Sequence, residues 1–141
     1  MHRRAASAVL ALVLTFVLAS PALAEGGFSS SFSGWLPGVS SRTWKDRNDD
    51  GVSTTIRLGG CRARASATRV VVLRIQLTKE TPWYTPDQSL GRKDFDCHRS
   101  SSVTRSWGRV AAGDYHFTLS AVNGTEAFDD KVSASSVRVA Y

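Results

Sequence analysis

The sequence predicts an all-β fold, a small antiparallel β-sandwich of about seven strands. Three observations predict it. Apolar residues alternate with polar ones along most of the chain, and the apolar positions are rich in Val, Ile and aromatics, as half-buried strands prefer. Turn-forming residues punctuate these runs at short intervals. No segment after the first two dozen residues carries a helical period, so the crossover helices that a parallel sheet needs are missing.

The elements follow in order. Phe28 to Trp35 and Val39 to Trp44 are short strand candidates. Next, Val52, Thr54, Ile56 and Leu58 fall on one face of a strand, with Ser53, Thr55 and Arg57 on the other. Asp50-Gly51 reads as the hairpin turn joining this strand to the one before. From Arg69 to Thr78, Val71, Leu73, Ile75 and Leu77 share a face, with Val70, Val72, Arg74 and Gln76 opposite; this is the longest candidate and reads as a central strand. Ser102 to Trp107 is a further short strand. Tyr115, Phe117, Leu119 and Ala121 form a buried stripe against His116, Thr118 and Ser120. The last strand, Val132 to Tyr141, puts Val137, Val139 and Tyr141 inward and Arg138 outward. Pro37-Gly38, Gly59-Gly60, Gly91, Gly113-Asp114 and Asn123-Gly124 supply the remaining turns.

Residues Val110 to Gly124, a turn leading to Tyr115, alternating apolar residues and a closing Ala121-Val122-Asn123-Gly124, resemble the late strand of fibronectin type III and other immunoglobulin-like sandwiches. The resemblance implies an immunoglobulin-like topology. It also implies that the Tyr115 hydroxyl ties back to an upstream backbone group at a sheet corner. It departs from true immunoglobulin domains in having Phe117 where their second cysteine stands, and it transfers no activity.

Domain organisation is set by the first residues. His2, Arg3 and Arg4, the apolar stretch Ala8 to Ala19 and the Ala22-Leu23-Ala24 site read as a signal peptide of residues 1–24, cleaved after Ala24. Ser20 and Pro21 break the apolar run, which is shorter than the ~20 residues a membrane span needs. The expected product is residues 25–141, a single secreted extracellular domain with no membrane attachment. Loss of Arg3 and Arg4 lowers the formal charge from +6 to +4, an ordinary excess that does not call for nucleic acid as a partner. Cys61 and Cys97 are the only cysteines, and in an exported chain they are expected to pair. Such a bridge contributes about 4 kcal/mol in the chain-entropy model.

Four constellations could carry chemistry. Asp46, Asn48 and Asp50 alternate before Gly51 like the first half of a calcium loop, but Arg57 stands at the twelfth position, where a bidentate acid belongs. The expectation is a plain turn, with at most a weak calcium site and no other cofactor. Asp94, Asp96 and His98 would share a face of an extended segment and could serve a metal or an acid–base pair; His116 could in principle join His98. Arg57, Arg62, Arg64, Arg69 and Arg74 cluster in sequence, and Arg57 with Arg74 could form an outward stripe for phosphate or carboxylate groups. Trp83 and Tyr84, between Pro82 and Pro86, cannot both point inward from an extended loop, so at least one is expected to be exposed and able to stack on a sugar or anchor a partner.

No nucleophile elbow, zinc-protease helix or phosphate-binding glycine loop occurs. The expected function is therefore a secreted, non-enzymatic bacterial binding module. It would recognise cell-wall or other polysaccharide or an extracellular protein, an inhibitor of secreted hydrolases being one version. The alternative is a small secreted hydrolase using His98 with Asp94 and Asp96.

Overall fold

The computed structural model of the chain describes residues 26–65 and 70–141. The signal segment expected at residues 1–24 and the cationic candidate Arg69 lie outside the described residues. Among the described residues there are eight strands: β1 (Gly27–Trp35), β2 (Trp44–Asp46), β3 (Thr55–Ala63), β4 (Val72–Lys79), β5 (Gln88–Asp96), β6 (Ser102–Ser106), β7 (Gly113–Val122) and β8 (Val132–Ala140). They form two four-stranded antiparallel sheets, ordered β1-β8-β3-β6 and β2-β7-β4-β5. The fold is all-β, a small β-sandwich, closed by the Cys61–Cys97 disulfide with its Cα atoms 5.2 Å apart.

This strand order is that of a jelly roll. In the immunoglobulin arrangement the last strand pairs with the penultimate one; here β8 lies between β1 and β3 in the other sheet. Consecutive strands switch sheets at every connection but one, and only β4 and β5 are neighbours both in sequence and in a sheet. The segment joining β2 to β3 therefore crosses between sheets, and the hairpin expected at Asp50-Gly51 does not form.

The alternation read from sequence places the core. Ile56 and Leu58 of β3, Leu73, Ile75 and Leu77 of β4, Tyr115, Phe117, Leu119 and Ala121 of β7 and Val137 and Val139 of β8 all face inward and are buried. Val71, just before β4, is buried with them. Trp44 packs among Phe28, Tyr115, Phe117 and Tyr141, closing one end of the apolar layer. Residues 38–41 run beside β7 as an irregular extension of β2: Gly38 N–H donates to Leu119 O, Leu119 N–H to Val39 O and Ser41 N–H to Phe117 O.

Three glycines expected in turns, Gly59, Gly60 and Gly91, lie inside strands, the last two at positive φ. Gly60, at φ +63°, sits in β3 where a Cβ would stand 2.0 Å from Ser135 Oγ on β8. On both strands the inward parity changes here, from Leu58 to Cys61 and from Val137 to Ala134. Gly91, at φ +99°, accompanies a bulge in β5, where the pairing shifts between Gln76 and Thr78 of β4. The strand expected from Val52 accordingly starts later, at Thr55, and runs on to Ala63.

Candidate functional site

The β4–β5 hairpin carries the largest exposed apolar groups among the described residues. Trp83 is 95% exposed and Tyr84 71%, with their rings edge to face at 5.7 Å between centroids. Neither closes the core; both stand out from it. The loop beneath them is braced by its own polar groups. Thr85 N–H donates to Pro82 O (2.8 Å), making a tight turn with the two aromatics at its centre. Thr81 N–H donates to Asp87 Oδ1 (2.9 Å), and Thr81 Oγ1 to Thr85 O (2.6 Å). Glu80 N–H donates to Asp114 O of β7 (2.8 Å), anchoring the base of the hairpin. Pro82 and Pro86 restrict the backbone on either side. The result is a rigid turn that presents two aromatic rings to solvent.

The pair Arg57 and Arg74 does not form the expected stripe. Arg57 points outward from β3 and Arg74 outward from β4, so they lie on opposite outer faces of the sandwich. Sequence proximity could not reveal this, because the chain changes sheets between them. Arg74 is also engaged: Nε and Nη2 donate to Asp94 Oδ1 and Oδ2 at 2.7 and 3.0 Å. That bidentate hydrogen bonding, followed by the Coulomb attraction, raises the Arg74 pKa; the same bonding to Arg74 holds the Asp94 carboxyl below its ordinary value. Among the described residues Arg57 has only the Ser102 hydroxyl as a partner, at 2.8 Å from Nη2.

Asp46 ends β2 and Asn48 and Asp50 lie in the loop that follows, and each has a side-chain oxygen engaged in shaping it. Asp46 is buried; its Oδ1 accepts from Asn48 N–H (2.8 Å) and its Oδ2 from Thr54 Oγ1 (2.9 Å). Asp50 Oδ1 accepts from Val52 N–H (2.8 Å). Asn48 Oδ1 accepts from the Arg109 guanidinium at 3.0 and 3.2 Å, so a protein cation already sits at the loop. Among the described residues no three His, Cys, Asp or Glu side chains gather as metal ligands would.

Asp94, Asp96 and His98 are likewise not assembled. Asp94 is held by Arg74, Asp96 is exposed at the end of β5, and His98 lies beside Cys61 with Nδ1 buried and without a hydrogen-bond partner among the described residues. His116 stands on β7, where its Nδ1 lies 3.0 Å from Glu80 Oε1, an oxygen that also accepts from Thr43 Oγ1 (2.6 Å).

Sequence reading passed over Lys131 and named Arg138 only as an outward residue of the last strand; the structure brings both beside the Arg-bearing strand β3. Arg138 pairs across the ladder with Arg57, and Lys131 O accepts from Arg64 N–H at 2.7 Å. One signal was present in the sequence: β1, β3, β6 and β8 contain no Asp or Glu at all.

The fold and the site together define a jelly-roll β-sandwich with a projecting aromatic hairpin. No family model matches the chain, and no curated protein matches it significantly. Among solved structures it is similar to CpGH89 from Clostridium perfringens, determined in complex with its substrate GlcNAc-alpha-1,4-galactose. The identity is 12% and the TM-score 0.40, over 82% of this chain and 14% of that one.

Proposed function

We propose that this chain is an exported, non-enzymatic bacterial binding module whose target is a cell-wall or other polysaccharide, held by the Trp83–Tyr84 hairpin. The observation that carries the reading is the nearly complete exposure of Trp83, with the largely exposed Tyr84 beside it, on a braced turn. Leaving a Trp in water forgoes the favourable burial that large aromatics ordinarily gain. A rigid aromatic surface offers an apolar platform to the C–H face of a sugar ring, and little conformational freedom is lost when a ligand settles on it. The disulfide suits an oxidising compartment. A protein partner, such as a secreted hydrolase inhibited by insertion of this hairpin, is the second version of the same reading. The hydrolase alternative draws no support from the geometry, since Asp94 is committed to Arg74 and the His98 Nδ1 is enclosed.

The test is co-sedimentation of residues 25–141 with purified bacterial cell wall at low and high salt. Trp83→Ala is expected to weaken salt-resistant binding by at least about 2 kcal/mol, roughly thirty-fold. Because Trp83 touches little else, thermal stability should stay within about 0.5 kcal/mol of the parent. Full retention of binding by Trp83→Ala would remove the hairpin from the site. Absence of wall binding at either salt would move the target to a soluble protein.

A further inference from the structure

The two outer faces of the sandwich differ in how far their charges are balanced. On the β2-β7-β4-β5 sheet and its loops four ion pairs form, Arg74 with Asp94, Arg92 with Glu126, Lys45 with Asp114 and His116 with Glu80, while Lys79, Lys93 and Asp96 of its strands make none among the described residues. The β1-β8-β3-β6 sheet carries no acid in any strand. Its outer face instead bears Arg57, Arg62 and Arg138, with Arg64 and Lys131 continuing the same outward positions past the ends of β3 and β8. None of these five makes an ion pair among the described residues.

The register brings like charges together. Arg57 and Arg138 are direct cross-strand partners, and Arg64 meets Lys131 through the hydrogen bond that extends the ladder. Like charges directly opposite one another on a sheet destabilise it. Asp130, next to Lys131 in sequence, accepts from Ala65 N–H at 3.0 Å. Between the cations the surface is built of small hydroxylated residues, Ser31, Ser33, Ser133 and Ser135, which leave a shallow depression of about 450 Å³ along β1, β8 and β3. A second depression of similar size continues it past Gly34 to Lys131.

We infer that this outer face is a second binding surface, independent of the aromatic hairpin, for a linear polyhydroxylated chain bearing carboxylate or phosphodiester groups. An anionic chain relieves the two like-charge pairs, and arginine forks match both kinds of oxyanion. Serine hydroxyls donate to and accept from sugar or polyol hydroxyls in either direction. Arg57 in β3 and Arg64 just past its end are seven residues apart, a span of about 23 Å that suits an extended polymer rather than a single small anion. Among the described residues the aromatic rings of these four strands, Phe28, Phe32 and Trp35 of β1, are buried or half-buried against the core rather than presented for a base to stack on, which favours a glycopolymer over single-stranded nucleic acid.

The test measures binding of polygalacturonate and of synthetic poly(glycerol phosphate), which separate the carboxylate from the phosphodiester source. Neutral dextran and duplex DNA serve as comparisons. The parent is expected to bind at least one of the two anionic polymers more tightly than DNA. That affinity should fall about tenfold or more between roughly 50 and 200 mM salt. Arg57→Gln, Arg62→Gln, Arg64→Gln and Arg138→Gln combined should abolish it, while the single Arg138→Gln should weaken binding and leave the melting temperature equal or higher. Trp83→Ala should bind the anionic polymers as the parent does, so this surface and the hairpin fail separately. Unchanged binding in the fourfold variant, binding to DNA as tight as to either polymer, or no binding to either polymer would each overturn the inference. A drop in melting temperature for Arg138→Gln would count against it too, by giving the arginine a structural role.

Discussion

Tyr115 shows how one side chain serves both packing and hydrogen bonding. Its ring lies wholly inside the sandwich, and its hydroxyl donates to Ala111 O, four residues upstream. The contact expected from the resemblance of Val110 to Gly124 to immunoglobulin-like strands is thus present in a sandwich of different strand order. It depends on a short turn entering a buried strand, which is a local matter. Burial, and secondarily the nearby Asp46 carboxylate, raise the Tyr115 pKa above its ordinary value. A raised folded-state pKa stabilises the fold fully below the unfolded value of about 10, and that stability is lost as pH rises through the folded value. Tyr115→Phe is expected to cost about 1 kcal/mol at neutral pH. Melting curves between neutral and strongly alkaline pH should show the parent losing more stability above about pH 10 than the variant does. Gly60 acts at the same scale by having no side chain. Gly60→Ala must place a methyl against Ser135 Oγ at a left-handed backbone position, and chemical unfolding should show a loss of about 2 kcal/mol or more.

At the level of elements, strands with an inward stripe were legible, the edge strands β1 and β6 were expected from Phe28 to Trp35 and Ser102 to Trp107, and the edge strand β5 was not legible. The stretch Val71–Leu77 and the stripe Tyr115–Ala121 became β4 and β7 because four alternating apolar side chains in a row can be buried only on one face of a strand. Strand β5 escaped notice. Only Phe95 is buried in it, Leu90 and Lys93 are half-buried, and Gly91 interrupts it, so it lacks the period that announces a strand. Its backbone pairs with β4 regardless, and its charged side chains discourage further pairing at the open edge. Glycine misled for a related reason. Gly59-Gly60 and Gly91 resemble turns in sequence, while in the sheets two of these three glycines hold positive-φ positions within strands.

For the whole molecule, the disulfide ties β3 of one sheet to the segment following β5 of the other. It therefore limits how far the two layers can separate when the chain unfolds. Replacing both cysteines with Ala is expected to lower unfolding free energy by about 2–5 kcal/mol, read from urea midpoints of the oxidised parent and the variant. A difference within error would mean that the packed layers alone hold the sheets together.

The sequence by itself determined the β class, the inward residues of most strands, the pairing of its two cysteines and the exposure of the Trp83–Tyr84 loop. These follow from periodicity, composition and turn chemistry, all of which act over a few residues. The tertiary structure alone decided which strands share a sheet. That choice put Arg57 and Arg74 on opposite faces, turned the Asp50-Gly51 hairpin into a crossing between layers and set Arg138 beside Arg57. The physical reason is that strand pairing is a long-range contact. The backbone groups that form it are the same in every residue, so only the packed core selects among the alternatives.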